Sequence, residues 1–116
     1  MGNASESTGF TDVLGNLLDR KGVSPKSAAR MADMSPAYGA GVIGGGSGPS
    51  RDDIVRLALA IAADAASANR LLAAAGLAGL DPRNARDRIL ADSLDSGSSL
   101  RRANVVLFRS GERPLS

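Results

Sequence analysis

Polar and apolar residues alternate along this chain at intervals of three and four, the spacing of a helix with one buried face. Phe10, Val13, Leu14, Leu17 and Leu18 form the first stripe, closed by Arg20-Lys21-Gly22, which sets basic residues in a last turn and a glycine behind it. Ser24 and Pro25 read as the cap and first position of a second helix through Ala28, Ala29 and Met31, where the small Ala29 leaves room for a neighbouring helix. A turn at Asp33-Met34 precedes a third start at Ser35-Pro36, after which Tyr38, Val42 and Ile43 keep helical spacing. Ser50 with Asp53 three residues later resembles a capping box for a fourth helix, whose Ile54, Leu57, Ala58 and Ile61 share a face. A fifth helix is predicted from Asn69 to Ala75, stopping at Gly76. A sixth opens at Asp81-Pro82, carries Ile89, Leu90 and Leu94 and stops at Gly97. The last begins at Ser98 or Ser99 and holds Leu100, Ala103, Asn104, Leu107 and Phe108 before Gly111.

The fold class is therefore all-α, with six or seven short helices and a polar leader over residues 1–9 that reads as disordered. The expected core is Phe10, Leu14, Leu17, Ala29, Met31, Val42, Ile54, Leu57, Leu71, Leu72, Ile89, Leu107 and Phe108. Val105, Val106, Leu107 and Phe108 make the last helix apolar all round, which points to self-association. Residues 51–81 also lie over 86–116 at a constant offset of 35 without a gap. Nine positions of 31 are identical: Arg51/Arg86, Asp52/Asp87, Ile54/Ile89, Leu59/Leu94, Ala68/Ala103, Asn69/Asn104, Leu72/Leu107, Gly76/Gly111 and Leu80/Leu115. They fall at a helix start, at core positions and at a helix end, so each unit reads as a helical hairpin stacked on the other.

Composition narrows the function classes. The 116 residues allow one domain with a single core. No run approaches the ~20 apolar residues of a membrane helix, and residues 1–10 do not resemble a signal peptide, so a soluble, cytoplasmic protein is expected. Cysteine and histidine are both absent, which removes disulfides, thiol nucleophiles, imidazole acid–base chemistry and the common zinc ligands. A pI near 9.7 reflects a net charge of only +2; four basic and four acidic residues lie in 1–50, three and three in 51–80, and seven and five in 81–116. The adjacent Asp52 and Asp53 are expected to serve a helix N-terminus, and Asp92 with Asp95 to lie on a wet face. With no catalytic constellation, the chain reads as a non-enzyme without cofactor, metal or small-molecule substrate. Gly39-x-Gly41-x-x-Gly44 matches the dinucleotide fingerprint in letters only, because no strand or βαβ unit surrounds it, and it is not a Walker loop, because no Gly-Lys-Ser/Thr ends it.

From Phe10 to about Ile61 the chain resembles the Cro/XRE-type helix-turn-helix domains of bacterial and phage repressors. The resemblance rests on Leu14, Leu17 and Leu18, on Lys21-Gly22-Val23-Ser24, on Ala28-Ala29 and on Met34-Ser35-Pro36-Ala37-Tyr38. It continues through Pro49-Ser50, Leu57 to Ile61, and the Asn69-Arg70-Leu71-Leu72-Ala73-Ala74-Ala75-Gly76 segment. It implies a five-helix helix-turn-helix core over residues 10–80, extended by a C-terminal helical hairpin over 81–116, and a role in transcription regulation. In that family the third helix enters the major groove, and polar or basic side chains on it and in the following loop touch bases and phosphates. Here those places hold Ser35, Pro36, Ala37, Tyr38, Gly39, Ala40 and Gly41, then Gly44, Gly45, Gly46 and Ser47, with no Lys or Arg from Met31 to Ser50.

The resemblance therefore implies a recognition helix with its reading side chains missing. Because phosphate contacts carry most non-specific affinity, DNA binding is expected to be weak. Two functions stay open: an adaptor, co-regulator or assembly subunit working through protein contacts, and a DNA-binding regulator. The second would use Ser35, Tyr38 and Ser47, the backbone amides of the glycine loop, and Lys26, Arg30, Arg101, Arg102 and Arg109 as phosphate contacts.

Overall fold

The structure, a computed structural model, describes residues 9–44 and 49–115. Residues 1–8 of the expected leader and Gly45, Gly46 and Ser47 of the expected reading loop lie outside them. The described residues form seven helices and no strand, so the chain is all-α: α1 (Phe10–Lys21), α2 (Pro25–Met31), α3 (Pro36–Ile43), α4 (Arg51–Ala60), α5 (Ala65–Ala74), α6 (Ala85–Asp95) and α7 (Leu100–Arg109). None is long and apolar enough to cross a membrane.

Short polar side chains set the starts. Ser24, Ser35, Ser50, Asp64, Asn84 and Ser99 each accept a bond from the backbone N–H three residues on, at 2.9 to 3.2 Å, worth about 1 kcal/mol apiece. Gly22, Gly76, Gly97 and Gly111 follow helix ends in left-handed conformation, as do Asp33 and Ala62. Three expectations are corrected. α5 begins at Ala65 rather than Asn69, since Asp64 caps a first turn of small residues that carries no apolar stripe. Asp81-Pro82 forms a turn, not a helix start: the Asp81 carboxylate takes the Arg83 N–H at 2.9 Å, and Asn84 opens α6. The capping box at Ser50 is half made, because the Asp53 carboxylate is bound elsewhere.

α4 is the central helix. It lies against α2, α5, α6 and α7, and every residue from Asp53 to Leu59 is buried. Leu14, Val42, Ile54, Val55, Leu57, Leu71, Leu72, Leu90 and Leu107 fill the interior around it. Met31 and Phe108 are not core residues: they are 49 % and 76 % exposed, and Ile89 is only partly covered. Met34 is buried in place of Met31, because the left-handed Asp33 folds the chain back so that the Met34 N–H reaches the Ala29 carbonyl at 2.9 Å.

The offset of 35 also relates hydrogen bonds. Arg51 donates Nη1 and Nη2 to Asp87 at 3.0 and 2.7 Å, and Arg86 donates the same pair of nitrogens to Asp52 at 3.1 and 3.0 Å. Arg51 also reaches the Ala78 and Gly79 carbonyls, as Arg86 reaches those of Arg113 and Pro114. Asn69 Oδ1 takes the Leu80 N–H at 2.8 Å, and Asn104 Oδ1 takes that of Leu115 at 2.7 Å. Each unit thus gives its arginine to the other unit's aspartate, the reciprocity of a two-fold axis rather than of a translational stack. In a stack, one arginine and one aspartate of the pair of units would be left over. Asp52 lies in the first turn of α4, as expected, and in addition serves the neighbouring unit through Arg86.

This pairing makes stability acid-sensitive. The Arg51 guanidinium, aided by the Asp81 N–H, holds the Asp87 carboxyl below its ordinary 3.8. A carboxyl lowered by folding contributes stability above its unfolded value and loses it as pH falls through the folded one. Urea midpoints are expected to be flat above about pH 5 and to fall below about pH 4, with a shallower fall in Asp87→Asn. Equal acid slopes in the two proteins would remove this assignment.

Candidate functional site

α2 and α3 meet across a turn, with a glycine against an alanine at their contact. Ser35 caps α3, Pro36 takes its first position, and Gly39 faces Ala29 so closely that a Cβ built on Gly39 would collide with the Ala29 Cβ. The small residue expected to admit a neighbour at Ala29 thus admits a glycine. Gly39 and Val42 are the buried side of α3.

Behind α3 lies a charged group that sequence reasoning did not single out. The Tyr38 hydroxyl donates to Asp53 Oδ2 at 2.5 Å. Asp53 is 2 % exposed and takes Arg56 Nη1 at 3.3 Å on its other oxygen, while Arg56 Nη2 donates to the Asp33 carbonyl at 2.9 Å. Arg56 Nε is buried without a partner among the described residues. The hydrogen bond from the Tyr38 hydroxyl to Asp53, with some burial and the Asp53 charge, holds the Tyr38 phenol above its ordinary 10. The signal available was Asp53 and Arg56 at i and i+3 in an otherwise apolar helix. Asp53, expected to serve a helix N-terminus, does lie in the first turn of α4, and through Tyr38 and Arg56 it also ties α3 and the α2–α3 turn to α4.

Facing outward, α3 presents Pro36, Ala37, the Tyr38 ring, Ala40 and Gly44, all exposed, with Gly41 half-buried. Between this face and α2 lies a cleft of about 600 Å³ lined by Pro25, Lys26, Ala29, Arg30, Met34, Pro36, Ala40, Ile43 and Gly44. Its walls are mostly apolar. The Ser35 hydroxyl is turned to the Tyr38 N–H, and the Tyr38 hydroxyl to Asp53, so neither projects from this face. Lys26 and Arg30 are exposed at its rim. Arg101, Arg102 and Arg109 are on α7, which lies on α6 and α4, whereas α2 and α3 lie on each other, with α2 also on α1 and α4. The structure therefore brings Lys26 and Arg30 to the α3 face and leaves the three α7 arginines with the C-terminal unit.

Chemically the cleft offers surface for aliphatic groups and two cations at its edge. It holds no hydroxyl, carboxylate or amine pair within bonding distance that would activate a nucleophile, and among the described residues no three carboxylates converge as a metal site. Asp92 and Asp95 are both exposed as expected, and Asp95 Oδ1 in addition accepts the Ala65 N–H at 2.9 Å and joins α6 to α5. Compared with models of protein families, with curated proteins and with solved structures, the chain matches none.

Proposed function

We propose that this chain is a non-catalytic binding module related to the Cro/XRE-type helix-turn-helix regulators, acting as an adaptor, co-regulator or assembly subunit through protein contacts on α2 and α3. The observation that carries this reading is the cleft beside α3. A groove of this size, apolar and rimmed by Lys26 and Arg30, suits the aliphatic side chains of a partner protein better than base edges, which need directed donors and acceptors. The bare outward face of α3 also lets a partner backbone approach closely. A second reading, a regulator that still binds DNA, draws on the exposure of Lys26 and Arg30 beside α3; two cations neutralise too little phosphate for more than weak attachment.

The deciding experiment is binding to mixed genomic DNA fragments across a salt series. At physiological salt no association tighter than about 100 μM is expected; sub-micromolar, salt-steep binding would overturn the adaptor reading and establish the second. Gly41→Lys/Gly44→Arg restores cations to the outward face, at a Gly44 whose φ of −75° suits any residue. DNA affinity is expected to rise at least tenfold in this variant, with a steeper salt slope. An unchanged affinity would show that α3 is not placed as a reading helix.

A further inference from the structure

One stripe stands in water in both halves of the repeat. On α5 it is Ala66, Arg70 and Ala73, at i, i+4 and i+7, all exposed. The offset of 35 carries these positions onto Arg101, Val105 and Phe108 of α7, which are exposed as well. The packing of a unit therefore asks for no apolar side chain here.

The two units fill the stripe differently. Two alanines and an arginine on α5 give a partner little to hold. On α7, Val105 is 42 % exposed and has Phe108, the most exposed large apolar residue described, three positions on, so the two side chains are neighbours on the helix surface. Arg101 and Arg102 precede Val105 by four and three positions and Arg109 follows it by four, so three exposed arginines border this apolar pair. Among the described residues none of the three pairs with a carboxylate, whereas Arg51, Arg56, Arg83 and Arg86 each do. An aromatic ring set among arginines, on a helix without Lys, Asp or Glu, has the composition of a protein interface core.

Shape and charge select the occupant. The outward side of a single helix is a convex ridge, so its counterpart is concave, and three uncompensated cations call for carboxylates on it. A symmetric contact between two copies would set arginine against arginine, which opposes the self-association that the apolar pattern alone suggests. A bilayer takes apolar side chains at the centre of the inserted face and basic ones at its edges. Here Arg101 and Arg109 lie about 40° to either side of Val105, where insertion would carry them below the headgroups.

We infer that the Arg101, Val105 and Phe108 stripe of α7 seats in a groove of a partner protein with an apolar floor and acidic walls, Phe108 being the anchor, in the helix-in-groove mode of recognition. The inference concerns α7 alone and is independent of the reading of α2 and α3.

The test presents the full chain to a displayed library of three-helix scaffold proteins randomised over two adjacent helices, which form a groove between them. The clones that enrich most are expected to carry Asp and Glu beside apolar residues. Their affinity is expected to fall about tenfold or more in Phe108→Ala and in Arg101→Glu/Arg109→Glu, and to weaken with salt. All three side chains are exposed, and unchanged urea midpoints would verify that both variants fold. Three results would overturn the inference: no enrichment, enriched clones indifferent to both variants, or clones sensitive to them that lack carboxylates. A wild-type dimer that Phe108→Ala dissociates in sedimentation would assign the stripe to a second copy. Cosedimentation with phosphatidylglycerol vesicles that both variants abolish would assign it to a lipid surface, and duplex DNA binding lost in the arginine variant but kept in Phe108→Ala would assign it to nucleic acid. Each of these would also overturn the inference.

Discussion

Asp53→Ala is expected to lower stability by about 3–5 kcal/mol, a large share of what a small domain has. The carboxylate is the anionic partner of Arg56, and both side chains are almost wholly removed from water. Without it the guanidinium keeps only the Asp33 carbonyl, with Nε already lacking a partner. The cost comes from that stranded charge and not from the ion pair as such, so removing both charges is expected to be far milder than removing one. Asp53→Ala/Arg56→Met, which fills the space with an apolar chain, is expected to regain most of the loss in urea midpoint. Tyr38→Phe, whose ring is half exposed, is expected to cost only about 1 kcal/mol. A double variant as unstable as Asp53→Ala would mean that the loss lies in the shape of α4 and not in the charge of Arg56.

Gly39→Ala is expected to destabilise by a net ~1–2 kcal/mol, against the sign that helix propensity assigns. Alanine in place of a mid-helix glycine normally gains about 1 kcal/mol. Here the added methyl meets the Ala29 Cβ, which has no torsion to swing away, so α2 and α3 must separate, at a cost of about 2–3 kcal/mol, the upper part of the overpacking range. Two companions isolate the cause. Gly15→Ala, where the built Cβ meets nothing within 4 Å, is expected to stabilise by about 0.5–1 kcal/mol. Ala29→Gly in the Gly39→Ala background reopens the contact and is expected to restore part of the loss. Equal gains from Gly15→Ala and Gly39→Ala would show that α2 and α3 are not in contact at these residues.

The glycines of α3 therefore divide into two kinds. Gly39 is a packing residue whose absent side chain lets two helices touch, while Gly41 is half-buried and the exposed Gly44 leaves bare backbone at the cleft. Sequence reasoning treated them alike, since a glycine carries no mark of what lies opposite it. Tyr38 shows the same limit. Its position on α3 suggested a phosphate contact, but its hydroxyl turns inward to a carboxylate fifteen residues away.

Local rules carried much of the helix layout. Ser24, Ser35 and Ser50 announce their helices because a cap acts within three residues of itself, and Gly22, Gly76, Gly97 and Gly111 close theirs because a left-handed residue is needed at that one place. The same rules missed Asp64 and Asn84, whose helices begin with small or charged residues that give periodicity nothing to register. Apolar content also misled at Met31 and Phe108. Each is apolar at helical spacing, yet its face meets water, and hydrophobicity alone does not say whether a covering helix exists.

By itself, then, the sequence determined that this protein is all-α, where most of its helices start and stop, and that two stretches share an offset of 35. These depend on backbone chemistry and spacing within a few residues, or on matching letters. Only the tertiary structure decided that the two units exchange Arg51 for Arg86 across a two-fold relation, that Asp53 and Arg56 stand buried behind α3, that Gly39 admits Ala29, and that α1 lies on α5 while α7 rests on α6 and α4. Those depend on distances between residues far apart in the chain, which the crossing of helices sets and no local propensity contains.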